Sequence, residues 1–267
     1  MIDTHCHLAD KRFDKDREPV IERAHAAGVR AFVEIAYAPP IVERAHAIAA
    51  RHPDLFLCVG VHPGESGRVP ESYLETLRDH ARHARVVAIG ETGLDFYRDH
   101  APREAQERWF RAQLALADEM GLPVVIHQRS ALEETLAILE EARPAAGGVL
   151  HCFDDGPAAV ERARAIGFKL GIGGCVTYGH AALEAAVRAA PDDMFVLETD
   201  SPYLEPEPRS LRRNEPALLT RVIARLCELK GWSATDAVRV TTANARALFR
   251  FPLVDGAWPG ADAVPRH

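Results

Sequence analysis

The sequence predicts an α/β protein built as a single (β/α)8 TIM barrel, and three observations carry that prediction. Eight short β-branched or apolar runs recur along the chain. Segments with helical apolar spacing lie between them and close on glycine, a rhythm that implies a parallel sheet with crossover helices. No G-x-G-x-x-G follows the first run, which speaks against a dinucleotide-binding half followed by a second domain. One eight-unit barrel fits about 250 residues.

The runs are Met1 to Thr4, Ala31 to Ala36, Leu55 to Val61, Val86 to Ile89, Val124 to Ile126, Val149 to Leu150, Lys169 to Ile172 and Met194 to Leu197. Between the first two, Val20, Ile21 and Ala24 share a helical face that ends at Gly28. Trp109, Ala112, Leu116 and Met120 form another stripe before Gly121, and Ser130-x-x-Glu133 has the form of a capping box. Val160, Ala163 and Ile166 close at Gly167, and a last helix is expected over 236–249. The barrel domain is therefore set at 1–250. Residues 251–267, rich in Pro, Gly, Ala and Asp, are expected to form a tail or lid over its exterior.

Composition narrows the class. The 267 residues are 47% hydrophobic and 27% charged, the balance of an ordinary globular protein. No apolar stretch approaches the ~18 residues of a membrane span, so no membrane partner is expected. The start Met1-Ile2-Asp3-Thr4-His5 lacks the basic and apolar regions of a secretion signal, and a cytoplasmic location follows as the expectation. Five cysteines without Cys-x-x-Cys spacing indicate neither a disulfide framework nor a thiolate zinc site. A net charge of −7 argues against a surface coated for non-specific nucleic-acid binding, though it says little about one local site. Thirteen histidines are many for this length.

In such a barrel, chemistry belongs at the C-terminal strand ends. There the sequence sets His5-Cys6-His7, Gly60-Val61-His62, Gly90-Glu91, His127, His151 and Glu198-Thr199-Asp200. Alternation along a strand turns His5 and His7 to one side and Cys6 to the other. His5, His7, Glu91, His127, His151 and Asp200 make four imidazoles and two carboxylates, a donor set for divalent transition metals. Two dications against two carboxylates leave the centre formally +2 and favour an anionic substrate.

His5-x-His7, Gly90-Glu91-Thr92-Gly93-Leu94-Asp95, Val125-Ile126-His127, His151-Cys152-Phe153, Glu198-Thr199-Asp200-Ser201-Pro202-Tyr203-Leu204 and Arg213-Asn214-Glu215-Pro216 together resemble the TatD family of metal-dependent deoxyribonucleases, within the amidohydrolase superfamily. The resemblance runs from Met1 to about Phe249, where Asn244 and Leu248-Phe249 also fit. It implies two divalent ions, Zn2+, Mg2+ or Mn2+: one held by His5, His7 and Asp200, a second by His127 and His151, with Glu91 bridging. It further implies a 3′–5′ exonuclease that prefers single-stranded DNA or frayed ends, using a metal-activated water; Asp200 either takes or relays its proton or is a ligand with no base role. The alternative is another ester or amide at the same centre, such as a small phosphoester, a lactone or a misacylated-tRNA ester. No obligate protein partner is evident.

Several flanking residues have two readings each. His62 is a phosphate contact or leaving-group proton donor, or else a loop hydrogen bond. Arg129, two residues after His127, clamps a phosphate or forms an ordinary salt bridge. The basic stretch from Arg209 through Arg212, Arg213 and Asn214 contacts a nucleic-acid backbone, or is a charge cluster beside Glu205 and Glu207. Tyr203 stacks on a base or packs under its loop. Glu198 and Asp95 are candidates to orient ligand histidines from behind. Cys6 and Cys152 are expected to be inert packing.

Overall fold

The computed structural model describes residues 1–98, 100–209 and 213–252. Eight strands lie in one sheet in sequence order: β1 (Ile2–Cys6), β2 (Ala31–Ala36), β3 (Leu55–Val59), β4 (Val86–Asp95), β5 (Val124–Arg129), β6 (Gly148–Leu150), β7 (Phe168–Ile172) and β8 (Phe195–Leu197). Every adjacent pair is parallel. Beyond β8, the chain bridges back to β1 through Cys6 and Ser201, with the His7 amide donating to the Ser201 carbonyl and the Asp200 amide to the His5 carbonyl, each at 2.8 Å. The predicted barrel is thus the observed one.

Helices follow the strands in turn: α1 (Arg17–Ala26), α2 (Pro39–Ala49), α3 (Tyr73–Ala81), α4 (Arg103–Met120), α5 (Leu132–Ala142), α6 (Pro157–Ala165), α7 (Ala181–Ala189) and α8 (Leu219–Lys230), with α9 (Ala234–Phe249) added at the end. Among the described residues no helix is long and apolar enough to cross a membrane. Strand alternation divides the core. Phe32, Leu55, Leu57 and Leu170 pack outward among the helices, whereas Val33, Ile35, Phe56, Cys58, Val125, Val149 and Val196 form an inner cluster with Leu248 and Phe249 of α9. Asn244 pins α9 by donating to the carbonyls of Asp192 and Phe195. Phe251 packs on Phe56 at 4.9 Å, so the core reaches one residue into the segment expected to be tail; residues 253–267 lie outside the described residues.

Two local expectations need correction. α5 starts at Leu132 with Ala131 at its N-cap and no side-chain cap, because Ser130 sits at φ 52 on a turn directly after β5 and cannot aim its hydroxyl into the first helical turn. The Ser130-x-x-Glu133 capping box therefore does not form. β4 and β5 also run further than their apolar runs. Their ladder continues as Gly93 opposite His127, Leu94 opposite Gln128 and Asp95 opposite Arg129. Buried groups of α4 hold this extension: Gln113 donates to the Thr92 hydroxyl, and Gln106 accepts from the backbone N–H of Asp95.

The β4–β5 register slips between Gly90 and Thr92, leaving Glu91 as an extra residue, the kind of bulge that re-aims a side chain at a barrel rim. Gly90, at φ 143, makes this possible, since a Cβ there would meet the Val125 carbonyl at 2.5 Å.

Candidate metal centre

The strand ends bring the six predicted ligands together. His7 Nε2 lies 3.1 Å from Asp200 Oδ1, and His5 Nε2 lies 3.5 Å from the same oxygen and 3.7 Å from Glu91 Oε2. Glu91 turns its other oxygen the opposite way: Oε1 is 2.8 Å from His127 Nδ1 and 3.8 Å from His151 Nε2. The His5 and His151 rings stack at 3.5 Å, which couples the two halves. His5, His7 and Asp200 form one group of mutually close donor atoms; His62, Glu91 and His127 form another, and His5, His151 and Glu198 a third.

These residues fit a metal. Both ring nitrogens of buried His5 lack a hydrogen-bond partner, a costly state unless Nε2 holds its lone pair for a cation. Its 3.5–3.7 Å distances to the carboxylates are close to the ~3.4 Å between two donors of one tetrahedral ion with ~2.1 Å bonds.

Buried carboxylates stand behind two of the candidate ligands and set their orientation. Glu198 Oε1 stands 3.0 Å from His151 Nδ1 and accepts from the Cys152 amide at 2.6 Å. Asp95 Oδ2 faces His127 Nε2 at 3.3 Å, while its Oδ1 accepts from the Tyr97 and Arg98 amides. Burial opposes charge on His151, yet Glu198 outweighs it and raises this imidazole to about 10. Burial likewise works against the Glu91 carboxylate, and the surrounding imidazoles, His62 first, still hold it well below its usual range. Burial keeps His5 neutral and pushes His62 down to about 3.

His62 is better suited to donate than to ligate. Its Nδ1 accepts from the Gly64 amide at 2.9 Å, which leaves the proton of the neutral ring on Nε2, 3.8 Å from Glu91 Oε1. Arg129 is exposed and lies over the Tyr97 ring at 4.0 Å; no ion pair forms on it among the described residues. Tyr203 is 42% exposed, with Arg12 over its ring at 4.1 Å and His7 edge-on at 5.7 Å. Cys6 turns away from the ligands, its thiol against the Val33 carbonyl.

The basic stretch divides. Arg212 lies outside the described residues. Arg213 is committed internally: it donates to both carboxylate oxygens of Asp16, at 2.6 and 2.9 Å, and covers Phe13. Asn214 is 1% exposed and gives its amide to the carbonyls of Thr199 and Tyr203, at 2.8 and 2.6 Å. We correct both from substrate contacts to positioning groups: they anchor the loop that carries Asp200 and Tyr203.

Three groups at the site carried no signal in the sequence. Asp3, buried in β1, accepts from the Thr199 amide and hydroxyl at 3.0 and 2.6 Å and so ties β1 to the Asp200 loop. Exposed Tyr97 carries Arg129. Glu34, fully buried in β2, accepts from the Ala9 amide through Oε1 while Oε2 has no partner. Burial raises Glu34 to about 7, against an ordinary value of about 4.3. The folded state therefore holds this proton more tightly than the unfolded one. Its contribution is full below pH ~4.3 and is lost as pH rises through 7. The melting temperature of the parent, measured against Glu34→Gln, should fall between pH 4.5 and 7 and level off above; parallel curves would refute this account.

A closed parallel barrel with imidazoles and carboxylates converging at its C-terminal mouth defines a metal-dependent hydrolase of TIM-barrel type. Within that class, the chain belongs to the TatD related DNase family, whose model matches residues 2–250. A Bacillus subtilis relative, described as the uncharacterized metal-dependent hydrolase YabD, is 37% identical over 252 residues, covering 94% of this chain and 99% of its own. The 3′-5′ ssDNA/RNA exonuclease TatD of Pectobacterium parmentieri is 37% identical over 261 residues, with the same coverage of both chains. The crystal structure of YJJV, a TatD homolog from Escherichia coli K12, superposes with a TM-score of 0.90 at 32% identity, covering 94% of this chain and 98% of that one.

Proposed function

We propose that this protein is a two-metal 3′–5′ exonuclease that removes nucleotides from single-stranded DNA ends. One observation carries the reading: Glu91 presents one oxygen to the His5 side of the centre and the other to His127 and His151. His5, His7 and Asp200 would hold the first ion, His127 and His151 the second, and Glu91 both. When bound, the ions supply Lewis-acid polarisation of a phosphoryl oxygen and activation of water. Asp200 takes the proton of the attacking water. The Nε2–H of His62 donates to a phosphate or leaving-group oxygen.

The rim suits a nucleic-acid strand. Arg129 on Tyr97 pairs a stacking surface with a cation on one side of the centre; on the other stands Tyr203, under Arg12, whose guanidinium is itself held by both carboxylate oxygens of Asp10. The relative named as an exonuclease acts, by its name, on single-stranded DNA and RNA, which supports the substrate class. Five free thiols suit a reducing compartment, and we assign the activity to the cytoplasm.

The test is a panel of 3′- and 5′-labelled single-stranded DNA, duplex DNA, RNA and a chromogenic ester with metal-loaded protein. Metal-dependent loss of 3′ nucleotides from single strands is expected. Fast ester turnover without DNA cleavage would sink the nuclease reading. Arg129→Ala should also make the slope of log kcat/KM against log salt shallower by ~0.7, one phosphate contact on a single strand. An unchanged slope removes Arg129 from the binding surface.

A further inference from the structure

Cys152 and Cys175 stand with their sulfur atoms 3.7 Å apart, and both thiols are free. Cys152 follows the ligand His151 at the end of β6. Cys175 lies in the 3-10 turn Gly174–Thr177 beyond β7. At φ 49 the backbone of Cys152 turns in the left-handed region, and its side chain meets Cys175 across the strand ends. A disulfide needs ~2.05 Å between sulfurs, so closure requires an approach of about 1.7 Å.

What lies between the two residues gives that approach a consequence. The Cys152 amide donates to Glu198 Oε1 at 2.6 Å, and Glu198 orients His151 at 3.0 Å. The chain leading to Cys175 forms the other wall: a Cβ on Gly171 would come 2.2 Å from Glu198 Oε2, and one on Gly173 3.5 Å from Glu198 Cγ. Drawing Cys152 and Cys175 together must therefore shift the cradle of Glu198 and, through it, His151.

We propose that Cys152 and Cys175 form an oxidative modification site at which a hydroperoxide closes an intramolecular disulfide and lowers hydrolysis. Cys152 is half-buried and Cys175 is 8% exposed. The contact with Cys152 holds the Cys175 thiol below its ordinary value, and the Cys175 sulfur attacks the peroxide O–O bond, giving a sulfenic acid and, from hydrogen peroxide, water. The Cys152 sulfur then attacks the sulfenic sulfur, forming the S–S bond and releasing a second water. Two thiols lose two electrons and the peroxide gains them.

The test uses the full chain loaded with redox-inert Zn2+ and treated with a small excess of hydrogen peroxide. Thiols titrated in denaturant should fall from the five of the sequence to three, and a non-reducing digest should contain the peptides of Cys152 and Cys175 as a linked pair. Activity should drop roughly 10- to 100-fold, the usual effect of disturbing a ligand's supporting carboxylate, and return with a phosphine reductant. Cys175→Ser and Cys175→Ala should keep untreated activity, form no linked pair and resist peroxide. Five titratable thiols after treatment would overturn the proposal. So would a linked pair without loss of activity, or an irreversible loss equal in parent and variants.

Discussion

Asp200→Asn should abolish hydrolysis while leaving the barrel folded. The substitution keeps the size of the side chain and one oxygen, so the Asp200 amide can still donate to the His5 carbonyl and hold the β8–β1 closure. What it removes is the charge 3.1 Å from His7 and 3.5 Å from His5, together with the group proposed to take the proton of the attacking water. Turnover should fall roughly 10^3-fold or more, about 4 kcal/mol of transition-state stabilisation. Two readouts separate the roles. Retained metal with lost kcat identifies the proton acceptor, and lost metal identifies the ligand. Turnover within tenfold of the parent removes Asp200 from both.

The convergence of the six candidate donors was legible in the sequence because a barrel fixes where strands end, and these side chains stand at those ends. Glu198 and Asp95 were legible for the same reason: alternation sets Glu198 on the face of Asp200, and Asp95 follows Glu91 closely on the same strand. Asp3 and Glu34 were not. Each sits inside an apolar strand, where alternation alone reads as an exposed polar position, and both are buried because a loop folds back over them. The amide of Ala9 explains Glu34, and that of Thr199 explains Asp3. Neither contact is local in sequence. Arg213 and Asn214 mislead for the converse reason. A basic run in a long loop looks free until its partners are known, and Asp16 and the carbonyls of Thr199 and Tyr203 are contacts that only the closed barrel creates.

Burial also changes what the net charge of −7 means. Part of it lies in Asp3, Glu34, Glu91 and Glu198, carboxylates enclosed around the centre, so the sum over the chain overstates the negative charge a strand meets at the mouth. Outside stands Arg129 on Tyr97, while Arg12 over Tyr203 is balanced by Asp10. Attraction confined to a mouth favours capture of an end over coating of a duplex.

Glu91→Gln should be as severe as the change at Asp200, and it decides how many ions the centre holds. Glu91 contacts imidazoles through both oxygens, with Oε2 on the side of His5 and Oε1 on the side of His127, His62 and His151. Glutamine keeps the shape but replaces one oxygen with an amide nitrogen that has no lone pair for a cation. It also removes the anion that gathers four imidazoles into one buried space. If Glu91 bridges, bound metal should fall from two ions per chain to one or fewer, and turnover should drop by ~10^3-fold or more. Glu91→Asp keeps the charge but shortens the side chain by one methylene, too little to reach both sides of the bulge at Gly90, and should bind one ion with partial activity. Two ions per chain in Glu91→Gln, measured by elemental analysis after dialysis, would reduce Glu91 from a bridge to a neighbour. The two metals would then be held by histidines and Asp200 alone.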